Sequence, residues 1–361
     1  MGGRVGADVV RFAAPAHDER VTARVGRWLG IAFAVCFVTG LLSHLIQHPP
    51  GWFAWPSSPV WLYRVTQGLH VITGIACVPL LLAKLWSVYP KLFERPVVKS
   101  FLHAVERGSI LVLSGAAFFE LFTGLFNVAQ NYLWGFYFPT AHYAVAWIAI
   151  GSILVHVAVK LPIIKRALQP RVDADRRQFL RTTGLATGLA VVATAGATVP
   201  LLRRVSVLSW RGTTDLPVNR TASAAGITVP ADWRLEVVAG GVTRFSLEDL
   251  NALPQATEEL PISCVEGWSA SAAWGGVRIA ELLRRCGVTP GVDLRVSSLE
   301  RSGLYSTSVL PGTHTGDRRT LLALRVFDAP LSPDHGYPCR VIAPTRPGVL
   351  QTKWVTRLEV L

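Results

Sequence analysis

Residues 260–283 read LPISCVEGWSASAAWGGVRIAELL, and the role given to Cys264 within them decides the class of the C-terminal half. The cysteine ends a short apolar run carrying Leu260 and Ile262. It comes just before Glu266-Gly267-Trp268-Ser269, where glycine permits a tight turn. A thiol in that place is expected to be presented, not packed; the bland alternative for a lone cysteine is a small buried hydrophobe. Further downstream come Trp274-Gly275-Gly276-Val277, Leu282-Leu283, Leu322-Ala323, Asp334-His335-Gly336-Tyr337-Pro338, Arg340, Pro344 and Lys353-Trp354.

These runs, in this order, resemble the sulfite-oxidase-type molybdopterin domain, in which a Cys followed by Glu-Gly-Trp-Ser supplies a thiolate to molybdenum. The resemblance implies a molybdopterin cofactor with Mo, and Cys264 as both the catalytic centre and the metal ligand. Arg340 and Lys353 fit the pterin phosphate, because guanidinium and ammonium groups pair naturally with phosphate oxygens. His335 and Gly336 resemble pterin-contacting positions, with a satisfied loop histidine as the alternative for His335. Asn219-Arg220 matches a pair that family members carry ahead of the first strand. Gly267, Gly312 and Gly336 are expected to let backbone approach the cofactor. The cofactor performs the hard step, so few acid–base side chains are required of the protein. The substrate-binding arginines of sulfite oxidases have no secure counterpart, so the resemblance does not carry a substrate.

The chain has 361 residues, room for two or three domains. Hydrophobic residues make up 50%, with 12 Trp, and the apolar residues concentrate before residue 203. The first part is therefore expected in a membrane. The net charge of +13 is uneven: residues 1–204 carry +12 and residues 205–361 carry +1. The excess sits in loops between apolar segments, as the positive-inside rule describes, and no basic helix or aromatic-interleaved patch suggests a nucleic acid partner. Five cysteines show neither metal-finger spacing nor a disulfide framework. Cys286 and Cys339 are read as two buried free thiols, with a pair in an oxidising compartment as the alternative.

Residues 1–27 form an Arg-rich tail (Arg4, Arg11, Arg20, Arg24, Arg27) with no cleavable signal, expected to be cytoplasmic. Spans are expected at about 28–47, 65–88, 105–128 and 140–161, within a membrane unit of residues 28–165. Its loops alternate. Lys91, Arg95 and Lys99 mark one basic loop and Lys160, Lys165 and Arg166 another, while uncharged aromatic loops carry Trp52, Trp55 and Trp61, or Tyr132, Trp134 and Phe136. A fifth apolar run, 182–202, follows Arg176-Arg177-Gln178-Phe179-Leu180-Arg181 within the segment 166–204. That heading resembles a twin-arginine export motif, and a plain cytoplasmic anchor is its alternative. By count the fifth run crosses outward and leaves residues 205–361 outside a bacterial cell membrane. There, short β-rich runs at 235–238, 294–296, 340–343 and 355–360, with one helical stretch near 279–286, indicate an α+β, strand-rich domain.

His44, His70, His103, His142 and His156 fall in or beside the spans, where a histidine is costly unless it lines an interior. His142 and His156 are 14 residues apart, which returns the side chain to within about 40° of its starting face after a rise of about 21 Å. Two neutral imidazoles stacked this way suit two haems at different depths. With His70-Val71-Ile72-Thr73-Gly74, the spacing resembles the four-helix di-haem b-type cytochromes that serve as quinone-reacting subunits of formate dehydrogenases and hydrogenases. The resemblance implies haem b, with His70 and His142 holding the outer haem. His156 is left needing an inner partner, for which His103 is available. His44 lines a quinone pocket or replaces His70; polar packing across helices is the alternative for all five. Glu120 is a candidate proton carrier or helix–helix glue.

Together these features lead to the expectation of a membrane all-α haem bundle plus a fifth transmembrane helix, followed by the molybdopterin domain. Electrons would pass between the quinone pool and an extracytoplasmic substrate, by sulfoxide reduction or oxyanion oxidation. An electron-transfer or anchoring protein with a non-catalytic domain, and a haem-free transporter or sensor, are the rival classes.

Overall fold

A computed structural model describes residues 15–92, 96, 98–168, 174–209, 216–301 and 303–361. Arg4, Arg11 and Arg95 of the basic segments lie outside the described residues. The chain divides into two compact units, Met1–Val38 with Ile72–Thr194, and Thr39–Val71 with Ala195–Leu361.

The helices are α1 (Glu19–Gln47), α2 (Leu62–Leu92), α3 (Phe101–Val128), α4 (Phe138–Ala167) and α5 (Ala174–Thr194). Four of them, α1 to α4, are long and apolar enough to cross a membrane. Large apolar side chains remain exposed all round, including Leu111 (74%) and Leu154 (64%). A helix apolar on every face belongs in lipid or in a large core. Within the first unit Ala32, Cys77 and Leu80 pack with Leu29, Phe33 and Leu121. Ser100 caps α3 by accepting from His103 N (3.2 Å). The run 182–202 is not one helix. α5 stops at Thr194, and Ala195–Ala197 and Pro200–Leu202 continue as separate 3₁₀ turns. Pro200 has no N–H to give to a helix, and Gly196 weakens one just before it.

The second unit carries β1 (Leu235–Val238), β2 (Val242–Phe245), α6 (Leu247–Ala252), β3 (Gln255–Ser263), β4 (Ser269–Arg278), α7 (Ile279–Arg285), β5 (Leu294–Ser298), β6 (Thr307–Leu310), α8 (Gly312–Thr315), β7 (Leu321–Val326), β8 (Ala329–Pro330), β9 (Arg340–Ile342) and β10 (Val355–Val360). One five-stranded sheet runs β2-β1-β10-β5-β6; the other runs β3-β4-β7-β8, with β9 pairing β7. Among the named strands, β1 and β10 alone pair in parallel, and an isolated parallel bridge joins Ser263 to Pro347. A core of Leu235, Val277, Ile279, Leu282, Leu294 and Val355 joins the first sheet to α7. A second cluster holds Leu260, Ile262, Cys264, Trp268, Trp274 and Ile342. No disulfide joins the cysteines. Cys339 is fully buried and Cys286 half-buried.

Candidate active site

β3 and β4 form an antiparallel hairpin ending with Ser263 opposite Ser269. The connecting loop 264–268 is closed by Cys264 N donating to Trp268 O (2.8 Å) and Gly267 N donating to Cys264 O (3.0 Å). Gly267 adopts φ +94°, and a Cβ there would sit 2.9 Å from Val71 Cγ2, so the position excludes a side chain on both counts. The turn forms as its sequence suggests, but the thiol is packed, not presented. Cys264 is 0% exposed within the second core cluster. Its Sγ accepts from Asn219 Nδ2 (2.9 Å) and lies 3.6 Å from Glu266 Oε2, which also accepts from Trp268 Nε1 (3.1 Å). Burial first, and the Glu266 carboxylate second, push the thiol well above its ordinary range. A bound metal cation reverses that balance, since coordination deprotonates a thiol outright. Among the described residues no three His, Cys, Asp or Glu side chains are grouped to hold a metal ion. A metal on Cys264 would need ligands beyond the described His, Cys, Asp and Glu side chains.

Beside this thiol lies a cavity of about 160 Å³. Asn219, Arg220, His335, Arg340 and Lys353, drawn from three distant stretches of sequence, all line it. Arg340 is 5% exposed, stacks over the Trp274 ring at 5.1 Å, and donates to His335 O and Gln351 O, both at 3.0 Å. Its Nε is buried without a protein partner. Burial lowers its pKa to about 9. Lys353 Nζ donates to Arg220 O (2.5 Å) and Asp334 O (3.0 Å) and lies 4.3 Å over the Trp354 ring. Burial, then the Arg340 charge, lower its pKa to about 7. His335 Nε2 is 3.1 Å from Leu216 O, which can only accept; the Nε2 therefore carries the proton, and Nδ1 accepts from Ser332 Oγ (2.8 Å).

Arg340 and Lys353 thus bond only to carbonyl oxygens, with no carboxylate joined to either among the described residues. Arg220 differs: it is ion-paired to Glu300. A buried cation such as Arg340 is costly without an anionic partner, and the half-buried Lys353 feels Asp334 and Glu300 only through space, so a phosphate is the group that would relieve both. The donor set therefore fits the phosphate of a pterin cofactor, while Cys264 stands behind Asn219 and is not itself among the residues that line the cavity.

The glycines act differently from expectation. Gly336, at φ +111°, leaves room for Lys353 Cβ (3.1 Å) and Arg340 Cβ (3.2 Å) to come together, and Gly312 abuts the Gly291 carbonyl. None of Gly267, Gly312 and Gly336 lines the cavity; they make room for neighbouring protein groups. Sequence reasoning missed Glu300, Tyr305 and Thr352, which do line it. They stand in loops with no periodicity to mark them.

Comparison with known proteins gives this geometry its context. Residues 222–361 match the family model described as "Oxidoreductase molybdopterin binding domain". This region is a molybdopterin-type oxidoreductase domain. A mitochondrial sulfite oxidase of Drosophila melanogaster is 33% identical over 162 residues, 36% of this chain and 27% of that protein. An oxidoreductase of Bacillus subtilis is 28% identical over 150 residues, 41% and 74% of the two chains. The catalytic subunit of a protein-methionine-sulfoxide reductase from Burkholderia mallei is 29% identical over 156 residues, 38% and 46%. The chain thus spans about a quarter of the sulfite oxidase and about half of the reductase subunit it matches.

The histidines of the helices are not gathered at this molybdopterin domain's cavity. In the second unit His44 stacks on His48 at 4.8 Å, and His70 Nδ1 lies 3.5 Å from Thr39 Oγ1, with Gly40 leaving room for its ring. In the first unit His142 and His156 both stand on α4. His142 Nε2 is 3.1 Å from Glu120 Oε2, and its Nδ1 is 3.2 Å from Thr123 Oγ1. His103 Nδ1 accepts from Lys99 N (3.1 Å). His103 and His156 are both within electrostatic reach of Glu106, which is ion-paired to Lys160.

Proposed function

We propose that the chain is a membrane-bound molybdenum oxidoreductase. In this reading electrons pass between the quinone pool and a substrate outside the bacterial cytoplasm through two b haems. The observation that carries the reading is one cavity lined by Asn219, whose amide donates to the buried Cys264 thiol, and by the buried Arg340 and half-buried Lys353, neither of them hydrogen-bonded to a carboxylate. Cys264 would hold the metal, with the Asn219 amide donating to its sulfur. Arg340 and Lys353 would bind the pterin phosphate, with His335, Gly336 and Arg220 beside them. When bound, the cofactor supplies two-electron, oxygen-atom exchange.

The relatives named for sulfite and for methionine sulfoxide suggest a sulfur oxyanion or a sulfoxide as substrate. In the reducing direction a sulfoxide takes two electrons and two protons to give a sulfide and water. Such a site needs an electron path, and four apolar helices offer one if they carry haem. His142 and His156 would each ligate one haem, with His70 and His103 as partners and His44 toward a quinone. For His142 this requires its Nε2 to leave Glu120 for iron while Thr123 keeps Nδ1 oriented, a usual division of labour for a ligating imidazole. The basic loops and the Arg176-Arg177 heading support a cytoplasmic first segment, a crossing near α5 and an extracytoplasmic catalytic domain.

Elemental and pigment analysis of the purified full chain tests the reading. One molybdenum and two haem irons per chain are expected, with reduction of a sulfoxide or oxidation of sulfite coupled to a quinone. Absence of molybdenum would overturn it; molybdenum without a haem absorption band would remove the internal electron path.

A further inference from the structure

The second unit includes the C-terminal end of α1 and the N-terminal end of α2. A chain of hydrogen bonds runs through these helix ends from one side of the site to the other. Tyr305, which lines the cavity, donates its phenol proton to Gln47 Oε1 (3.0 Å) on the last residue of α1. The amide orientation is set by its other contacts: Gln47 Nε2 donates to Ser43 O (3.0 Å) and Ser43 Oγ (3.3 Å), which leaves Oε1 toward Tyr305. Ser43 Oγ is 3.0 Å from Tyr63 OH, which lies 3.4 Å from Gln67 Oε1. Gln67 Nε2 then donates to Val265 O (3.1 Å), the residue after Cys264. Ser43, Tyr63 and Gln67 are 9%, 1% and 5% exposed. Polar groups buried this deeply are held in place by their partners, since breaking one bond strands the next.

We propose that Gln47 is a positioning residue for Tyr305, and that this chain makes the ends of α1 and α2 part of the catalytic site. The inference rests on the reading of the cavity as the molybdenum–pterin site. Tyr305 comes from the loop between β5 and β6, and its phenol is fixed by a side chain 258 residues away in sequence. The first two helices then do more than anchor the domain. One sets the phenol at the cavity wall, and the other holds the carbonyl beside the metal-binding cysteine.

The test is a double-variant cycle in the full-length, membrane-extracted chain, using Gln47→Leu, Gln47→Glu, Tyr305→Phe and the combination Gln47→Leu with Tyr305→Phe. With a reduced dye as donor and a sulfoxide as substrate, Gln47→Leu should lower kcat by about ten- to a hundredfold, the scale on which a misplaced group costs rate. Gln47→Glu, which keeps an acceptor for the phenol, should recover most of it. The combined variant should fall no lower than Tyr305→Phe alone. The second readout is the unfolding midpoint of the cofactor-free chain, where the two single shifts should sum to more than the shift of the combined variant. Equal effects of Gln47→Leu with and without Tyr305→Phe, in rate and in melting, would overturn the proposal while leaving the proposed function standing. A parent chain that binds no molybdenum would instead sink the functional reading, and the melting cycle would still decide the Gln47–Tyr305 contact.

Discussion

Cys264 is 0% exposed and is contacted by side chains from residues 219 and 266. His142 and His156 stand on a helix whose most apolar window is only 6% buried. Both regions carry candidate cofactor ligands, yet they organise them by different means. In the β domain, separated loops converge on one cavity, so each functional group is defined by tertiary contacts. In the helices, the 3.6-residue repeat places the two imidazoles on one face, and α3 adds Glu120 and Thr123 against His142. A ligand set of the first kind is specified by the fold alone, and one of the second kind by spacing first and by a neighbouring helix second.

The sharpest way to break this comparison is Cys264→Ser. A hydroxyl is a poor substitute for a thiolate on a soft metal site, so turnover should fall to background while the chain still folds and its haem spectrum, on the proposed reading, stays intact. Assay with an artificial electron donor checks this, and normal turnover in the variant would remove Cys264 from the site.

Arg176→Lys combined with Arg177→Lys asks whether the two regions reach their places by different routes. Charge is conserved, so an ordinary positive-inside anchor tolerates the change, whereas a receptor-read export motif does not. Arg176 also pairs with Asp18 (3.1 Å), a contact that Lys can keep. The expected outcome is loss of most protease-accessible catalytic domain from spheroplasts. Unchanged exposure of a molybdenum-loaded domain would favour plain anchoring.

His142→Ala and His156→Ala probe the helical side with a smaller effect. Each should remove about half of the reducible haem, because a rise of about 21 Å separates the two positions. Loss of all haem in both variants, or of none, would mean that spacing along α4 is not what defines the sites.

The same contrast explains what was legible in the sequence. Continuous apolar runs gave α1 to α4 because hydropathy and helix formation are both local. The Cys264 turn was legible because Gly267 and its neighbours act within a few residues. Burial of the thiol was not, since Asn219 reaches it from 45 residues away. β4 was missed because SASAAWGGVR has no alternation of branched and polar residues, and small side chains let it lie buried between β3 and β7. Tyr305 and Glu300 sit in an irregular loop, and their place at the cavity follows only from the pairing of β5 with β6 and β10. α5 ended early for a local reason, Gly196 and Pro200, which was present in the sequence but outweighed by apolar composition.

The smallest effect, and the one that most directly measures enclosure in the β domain, concerns the pH dependence of stability around Lys353. Its pKa is lowered from 10.5 to about 7 in the folded chain, mainly by burial. Between those values the unfolded chain binds a proton that the folded chain does not, so folding stability must rise with pH across that window. The slope is at most about 1.4 kcal/mol per pH unit, and less to the extent that water still reaches the ammonium. Below about pH 7 both states are protonated and the folded chain carries the full penalty of a buried charge. Lys353→Met removes the titration. In cofactor-free protein, unfolding midpoints of parent and variant measured from pH 6 to pH 10 should therefore shift progressively in the parent's favour as pH rises. With the phosphate-bearing cofactor bound, the ammonium has an anionic partner and stays charged, so the same comparison should lose its slope over the lower part of the range. Parallel curves in the cofactor-free protein would show that Lys353 is solvated well enough to titrate normally, and the buried-cation argument for a phosphate at this cavity would then rest on Arg340 alone.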